Sequence, residues 1–250
     1  MLRFESDGLS LRYIDEGAGE PIVLIHGFAS HVEMNWINPG WVSFLTGLGK
    51  RVIAFDHRGH GESAKTYDTH AYGAQLMAED ARRLLEHLDI SRADVMGYSM
   101  GARVTAFLAI HHPHLVRSAI FAGMGESMLT GLVSADAIAS GLEASSRDLV
   151  TDPEARTFRI FAEATRSDLK ALAACMRSQR TKITPDMLHR LDLPVLIAVG
   201  TEDHVAGSPH VLAEHIRGAE VLDIPGRDHN RAVGDKVFKE GVADFLARRL

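Results

Sequence analysis

Ser99 stands in the pentapeptide Gly97-Tyr98-Ser99-Met100-Gly101, with a glycine two positions away on either side. A serine hydroxyl is a weak nucleophile until a base takes its proton, and that base needs a carboxylate to orient it. The chain offers 14 histidines, so position has to choose among them. His229, in Gly226-Arg227-Asp228-His229, and Asp203, in Gly200-Thr201-Glu202-Asp203, each lie just beyond a short apolar run. In chain order the three groups run serine, aspartate, histidine. Together they suit acyl transfer: Ser99 attacks a carbonyl, His229 moves its proton to the leaving group, and Asp203 fixes the imidazole tautomer.

A Gly-x-Ser-x-Gly match alone is weak, because glycine and serine also make plain turns. It becomes informative at a strand-to-helix junction. Residues 21–27, 51–56, 93–99, 116–123, 193–200 and 219–226 are short runs rich in β-branched and apolar residues. Most are nearly continuous, as strands covered on both faces of a parallel sheet should be. Residues 9–15 alternate instead, like a half-exposed antiparallel strand. Helices are predicted over 71–90, where Leu76, Asp80, Leu84, Leu85 and Leu88 recur at helical spacing, and over 101–113, 208–218 and 232–250. The pentapeptide therefore sits between a strand and a helix. Alternating strands and helices predict an α/β fold with a mostly parallel, doubly wound sheet. Residues 124–190 break the rhythm with short helices and no strand. The expected organisation is a core of residues 1–123 and 191–250 carrying a small helical cap, or lid, of residues 124–190 over the carboxyl edge of the sheet.

Bulk composition narrows the function. With 46% hydrophobic and 24% charged residues, the chain is an ordinary soluble globular sequence with a sizeable core. The net charge of −6 is scattered, which argues against a nucleic-acid partner. No apolar stretch has the length of a membrane span, and the acidic opening lacks the core of a signal peptide. No membrane association and a cytoplasmic location are expected. The single cysteine, Cys175, excludes an internal disulfide and a cysteine metal cluster. The run His111-His112-Pro113-His114 reads as a helix end rather than a metal site.

Four motifs in order resemble the α/β-hydrolase superfamily over nearly the whole chain: His26-Gly27-Phe28, the turn Asp56-His57-Arg58-Gly59-His60-Gly61-Glu62-Ser63, the pentapeptide around Ser99, and the paired loops at Asp203 and His229. The resemblance implies an α/β-hydrolase fold and a nucleophile elbow at Ser99. It also implies an oxyanion hole from the backbone N–H groups of Phe28 and Met100, and no metal or organic cofactor. Asp56 and Arg58 become loop-stabilising residues; Glu126 is the rival acid, and Glu202 and Asp228 are neighbours of the chosen pair. Serine at position 99, where dehalogenases and epoxide hydrolases of this fold use aspartate, leaves hydrolysis of an ester, thioester, lactone or amide. Carbon–carbon bond hydrolysis, cofactor-free perhydrolysis and ligand reception under a lid are the alternatives on the same triad. Residues 124–190 carry nine basic and nine acidic residues, so charge gives no anionic-substrate signal. Met124, Met128, Met176, Met187, Leu129, Leu132 and Phe161 are candidates for an apolar lining, and Trp36 and Trp41 for narrowing the pocket. The expected substrate is a small-to-medium neutral acyl compound.

Overall fold

Asp7 and Gly8, both left-handed at φ 55° and 75°, turn the chain back on itself near its start. They join β1 (Leu2–Ser6) to β2 (Leu9–Gly17) in an antiparallel hairpin with Leu2 opposite Tyr13. Asp-Gly is a strong hairpin signal, yet the pattern reading finds only the second strand. A computed structural model describes residues 1–131, 134–179 and 181–249. It continues through β3 (Glu20–Ile25), α1 (Trp41–Gly47), β4 (Lys50–Phe55), α2 (Ala74–His87), β5 (Ala93–Tyr98), α3 (Met100–His111) and β6 (Val116–Ala122). Five helices follow: α4 (Ser127–Thr130), α5 (Ala135–Glu143), α6 (Pro153–Ala164), α7 (Leu169–Arg177) and α8 (Pro185–His189). The chain ends with β7 (Val195–Gly200), α9 (Pro209–Ala213), β8 (Glu220–Ile224) and α10 (Lys236–Arg248).

The strands form one sheet in the order β1-β2-β4-β3-β5-β6-β7-β8, with β1, β2 and β4 paired antiparallel and all other pairs parallel. Side chains alternate across a strand, so β3 sends Val23 and Ile25 to one core and Ile22 and Leu24 to the other. The first core lies under α2 and α3, the second under α1 and α10. Parallel strands end on the same side, which brings the residues after β5, β7 and β8 to one edge. A third apolar cluster joins α5, α6 and α7 through Ile138, Leu142, Ala155, Ala162 and Leu172, with Ala29 from the loop after β3 among them. Met128 of α4 and Leu188 of α8 are buried in the first core instead.

Some expectations shift. The buried face of α2 is Met77, Ala78, Asp80, Ala81, Leu84 and Leu85, while Leu76 is exposed. Asp80 belongs to that face through an ion pair rather than through apolarity. The predicted helix over 208–218 is only five residues of α9, after which the chain passes through turns to Gly218 at φ 72°. Trp36 and Trp41 do not narrow a pocket: both are fully buried in the second core, where Trp41 packs on Phe238 at 4.7 Å between ring centroids. Among the described residues, no helix is long and apolar enough to cross a membrane.

Candidate active site

The turn from β5 to α3 forces Ser99 into φ 55°, ψ −116°, a conformation that L side chains rarely adopt. Close packing holds it there. A Cβ on Gly97 would strike the carbonyl of Gly101, and one on Gly101 would strike the carbonyl of Ile25, so strand and helix meet only because both positions are glycine. Ser99 N donates to Ala122 O at 2.8 Å, tying the bend to β6. Its hydroxyl projects where β7 and β8 deliver their loops.

His229 Nε2 lies 3.0 Å from Ser99 Oγ, and His229 Nδ1 lies 2.8 Å from Asp203 Oδ2. An ionised carboxylate only accepts, so Nδ1 carries the proton and Nε2 is left to accept from the serine hydroxyl. The other carboxylate oxygen, Asp203 Oδ1, accepts from Val205 N at 3.0 Å and Ala206 N at 2.9 Å, which fixes the carboxylate plane. Asp203 rather than its rivals holds this position. Asp228 is spent on its own turn, accepting from Asn230 N and Arg231 N, and those donors hold its carboxyl below the usual range. Glu126 and Glu202 are exposed. From β5, Tyr98 sends its hydroxyl to His229 O at 2.6 Å and its ring to within 5.5 Å of the imidazole.

Beside the serine, Met100 opens α3, so its N–H belongs to the first turn, which has no intrahelical acceptors. Phe28 sits in a turn closed by Ser30 N donating to Gly27 O at 3.3 Å, with Ala29 at φ 56°. A lattice of buried side chains holds this loop. Asn35 Oδ1 accepts from Gly27 N at 3.1 Å; His26 Nε2 accepts from His57 N at 3.0 Å, so His26 Nδ1–H donates to Gly27 O at 2.7 Å. His26, His57 and His60 are all fully buried within 6.0 Å of one another, ring centroid to ring centroid. Burial drives them neutral: His26 and His60 are pushed down to about 3, and His57 well below its ordinary value. Asp56 Oδ1 accepts from Val32 N and Oδ2 from Glu62 N, spanning the two loops. From the helices after β6, Thr165 Oγ1 donates to Ala29 O at 2.8 Å, and Phe158 packs edge-on against Phe28 at 5.8 Å.

Ser99, Phe28 and Met100 share the wall of a cavity of about 260 Å³, closed by Met77 at the start of α2, Phe158 of α6 and Met176 of α7. Met124 and Leu129 also line it, whereas Met128 is buried in the first core, Met187 packs against that core, and Phe161 packs with the third cluster. Leu132 lies outside the described residues. Cys175 is buried and also forms part of the cavity wall. Sequence reasoning missed Arg103 and Lys182, both on the wall. A polar residue four places after the serine, one helical turn on, is the signal that could have found Arg103.

The family model for the alpha/beta hydrolase fold matches residues 20–167. The chain belongs to the α/β-hydrolase fold family. It is 31% identical over 244 residues to the dihydrolipoyllysine-residue acetyltransferase component of the acetoin cleaving system of Pseudomonas putida, covering 90% of this chain and 63% of that protein. It therefore spans less than two thirds of that relative. It is 25% identical to the non-heme chloroperoxidase of Kitasatospora aureofaciens, over 96% of this chain and 97% of that one. Among solved structures it resembles a hydrolase from Pseudomonas aeruginosa with a TM-score of 0.81 and 24% identity, covering 98% of this chain and 97% of that chain.

Proposed function

We propose that this α/β-hydrolase fold protein is a serine hydrolase that cleaves a small-to-medium acyl substrate, a carboxylic ester, lactone or thioester, through an acyl-enzyme. The supporting observation is the unbroken relay from Asp203 through His229 to Ser99, at 2.8 and 3.0 Å, opening onto a cavity of about 260 Å³. That volume is below the range of about 300–1,000 Å³ usual for drug-sized ligands, which favours short acyl groups. His229 takes the Ser99 proton as Oγ attacks the carbonyl carbon, then delivers it to the leaving group; water repeats the sequence on the acyl-enzyme. Phe28 N and Met100 N donate to the oxyanion, and losing one such donor costs about 2.7–4 kcal/mol of transition-state stabilisation. Within the proposed lid of residues 124–190, Phe158 of α6 and Met176 of α7 supply the far wall.

A panel of small aryl esters, thioesters and lactones tests this reading. Wild type should turn over at least one class, and Ser99→Ala should lower kcat by about 10³-fold or more at unchanged fold. Undiminished turnover in Ser99→Ala sinks the mechanism.

A further inference from the structure

The cavity wall carries two cationic side chains, Arg103 and Lys182, and among the described residues no carboxylate. We propose that the substrate's acyl part ends in a carboxylate that binds at Arg103, with Lys182 adding attraction from the exposed stretch before α8. The inference rests on the serine-hydrolase reading above and departs from the neutral substrate that charge counting suggests. The nine acidic residues of 124–190 balance its nine basic ones in number but not in position, since Lys182 reaches the wall and none of the acids does.

Arg103 is placed for such a role by the helix that follows the nucleophile. Four residues after Ser99 on α3, it is displaced by about 6 Å along the axis. Its Nη2 donates to Ser127 O at 2.8 Å, and Ser127 lies on the same wall. That bond sets the direction of a planar guanidinium, whose fork matches a carboxylate. The group is half-buried, so its field is less screened by water than that of a surface arginine. The substrate class is the monoester or monothioester of a dicarboxylic acid, or a lactone that bears a carboxylate, kept short by a cavity of about 260 Å³.

The test compares the p-nitrophenyl monoester of adipate with a neutral ester in which an isopropyl group replaces the carboxylate. Wild type should prefer the anionic ester in kcat/KM by about tenfold or more, the low end for a hydrogen bond to a charged group. Arg103→Gln should collapse that ratio, Arg103→Lys should restore part of it, and Lys182→Gln should reduce it less. A wild-type preference for the neutral ester, or a ratio unmoved by Arg103→Gln, overturns the assignment. A second readout separates this proposal from the catalytic one. The monoester should raise the Tm of Ser99→Ala but not of Ser99→Ala combined with Arg103→Gln. Equal shifts in both, or none in Ser99→Ala, count against the carboxylate site even if the wild type hydrolyses neither ester.

Discussion

Tyr98, inside the elbow, points away from the cavity and holds the loop that carries His229, the proposed base. Its hydroxyl donates to the backbone of His229 at 2.6 Å, and its ring packs against both His229 and Phe238. Burial and the nearby Asp203 and Asp228 carboxylates push its phenol well above the ordinary range, so it remains a donor throughout the working pH range. Tyr98→Phe keeps the ring and removes one hydrogen bond. We expect a stability loss of about 1 kcal/mol and a fall in kcat of about three- to tenfold with KM little changed, because positioning of the base suffers and the cavity does not. Urea melts and steady-state kinetics check both; an equal rise in KM alone would assign Tyr98 to substrate binding instead. The hydrogen-bonded trio of Ser99, Asp203 and His229 was legible because the proposed acyl transfer demands those residue types and the strand ends bring them to one edge. Tyr98 was not, since its partner is a backbone carbonyl 131 residues away, and a carbonyl has no sequence signature.

At the scale of elements, what the pattern reading could find was periodic, and what it missed was paired. The parallel strands announce themselves as apolar runs, and the lengths of β3 to β7 follow. Asp80 shows the other case. It falls in the buried row of α2, yet it is fully buried because Arg58, from the turn after β4, reaches it at 2.8 and 2.6 Å while Ser6 of β1 donates to the same carboxylate. Helical spacing locates the position, but only the fold shows that a strand, a loop and a helix converge on one charge. Desolvation pushes the Asp80 carboxyl up, against the pull of Arg58. Removing one partner of such a buried pair leaves the other charge uncompensated. Asp80→Ala should therefore destabilise by about 3–5 kcal/mol, read as a lower midpoint of denaturant unfolding, whereas exchanging the exposed Arg217–Asp192 pair should change little. A loss below about 1 kcal/mol in Asp80→Ala would mean that Arg58 finds water when the carboxylate is gone.

Over the whole molecule, the buried histidines make acid stability a property of the loops that frame the site. His26 and His60 are lowered from an ordinary 6.5 to about 3, and His57 well below 6.5. In each case desolvation is the largest cause, since all three are fully buried. The unfolded chain takes up protons as pH falls below about 6.5, and the native state does not until about 3. These groups therefore contribute their full stability above the unfolded pKa and lose it progressively as pH falls toward the folded one. Each contributes a slope of up to about 1.4 kcal/mol per pH unit in that window. Glu20 acts in the same direction, held at about 2 by Lys50 and Arg249, but only below its ordinary 4.5. Between pH 7 and 5 the histidines accordingly dominate. His60 offers the cleanest variant, because His60 Nδ1 donates to Arg58 O at 3.0 Å while Nε2 is buried without a partner among the described residues. His60→Asn keeps a donor near the Arg58 carbonyl and removes the titrating ring. Unfolding free energies at intervals from pH 5 to 7 should show a shallower slope in His60→Asn than in wild type, by about 1 kcal/mol per unit at most. Parallel slopes would show that His60 is protonated in the folded protein, and that the loop around Gly27 and Phe28 accommodates an imidazolium.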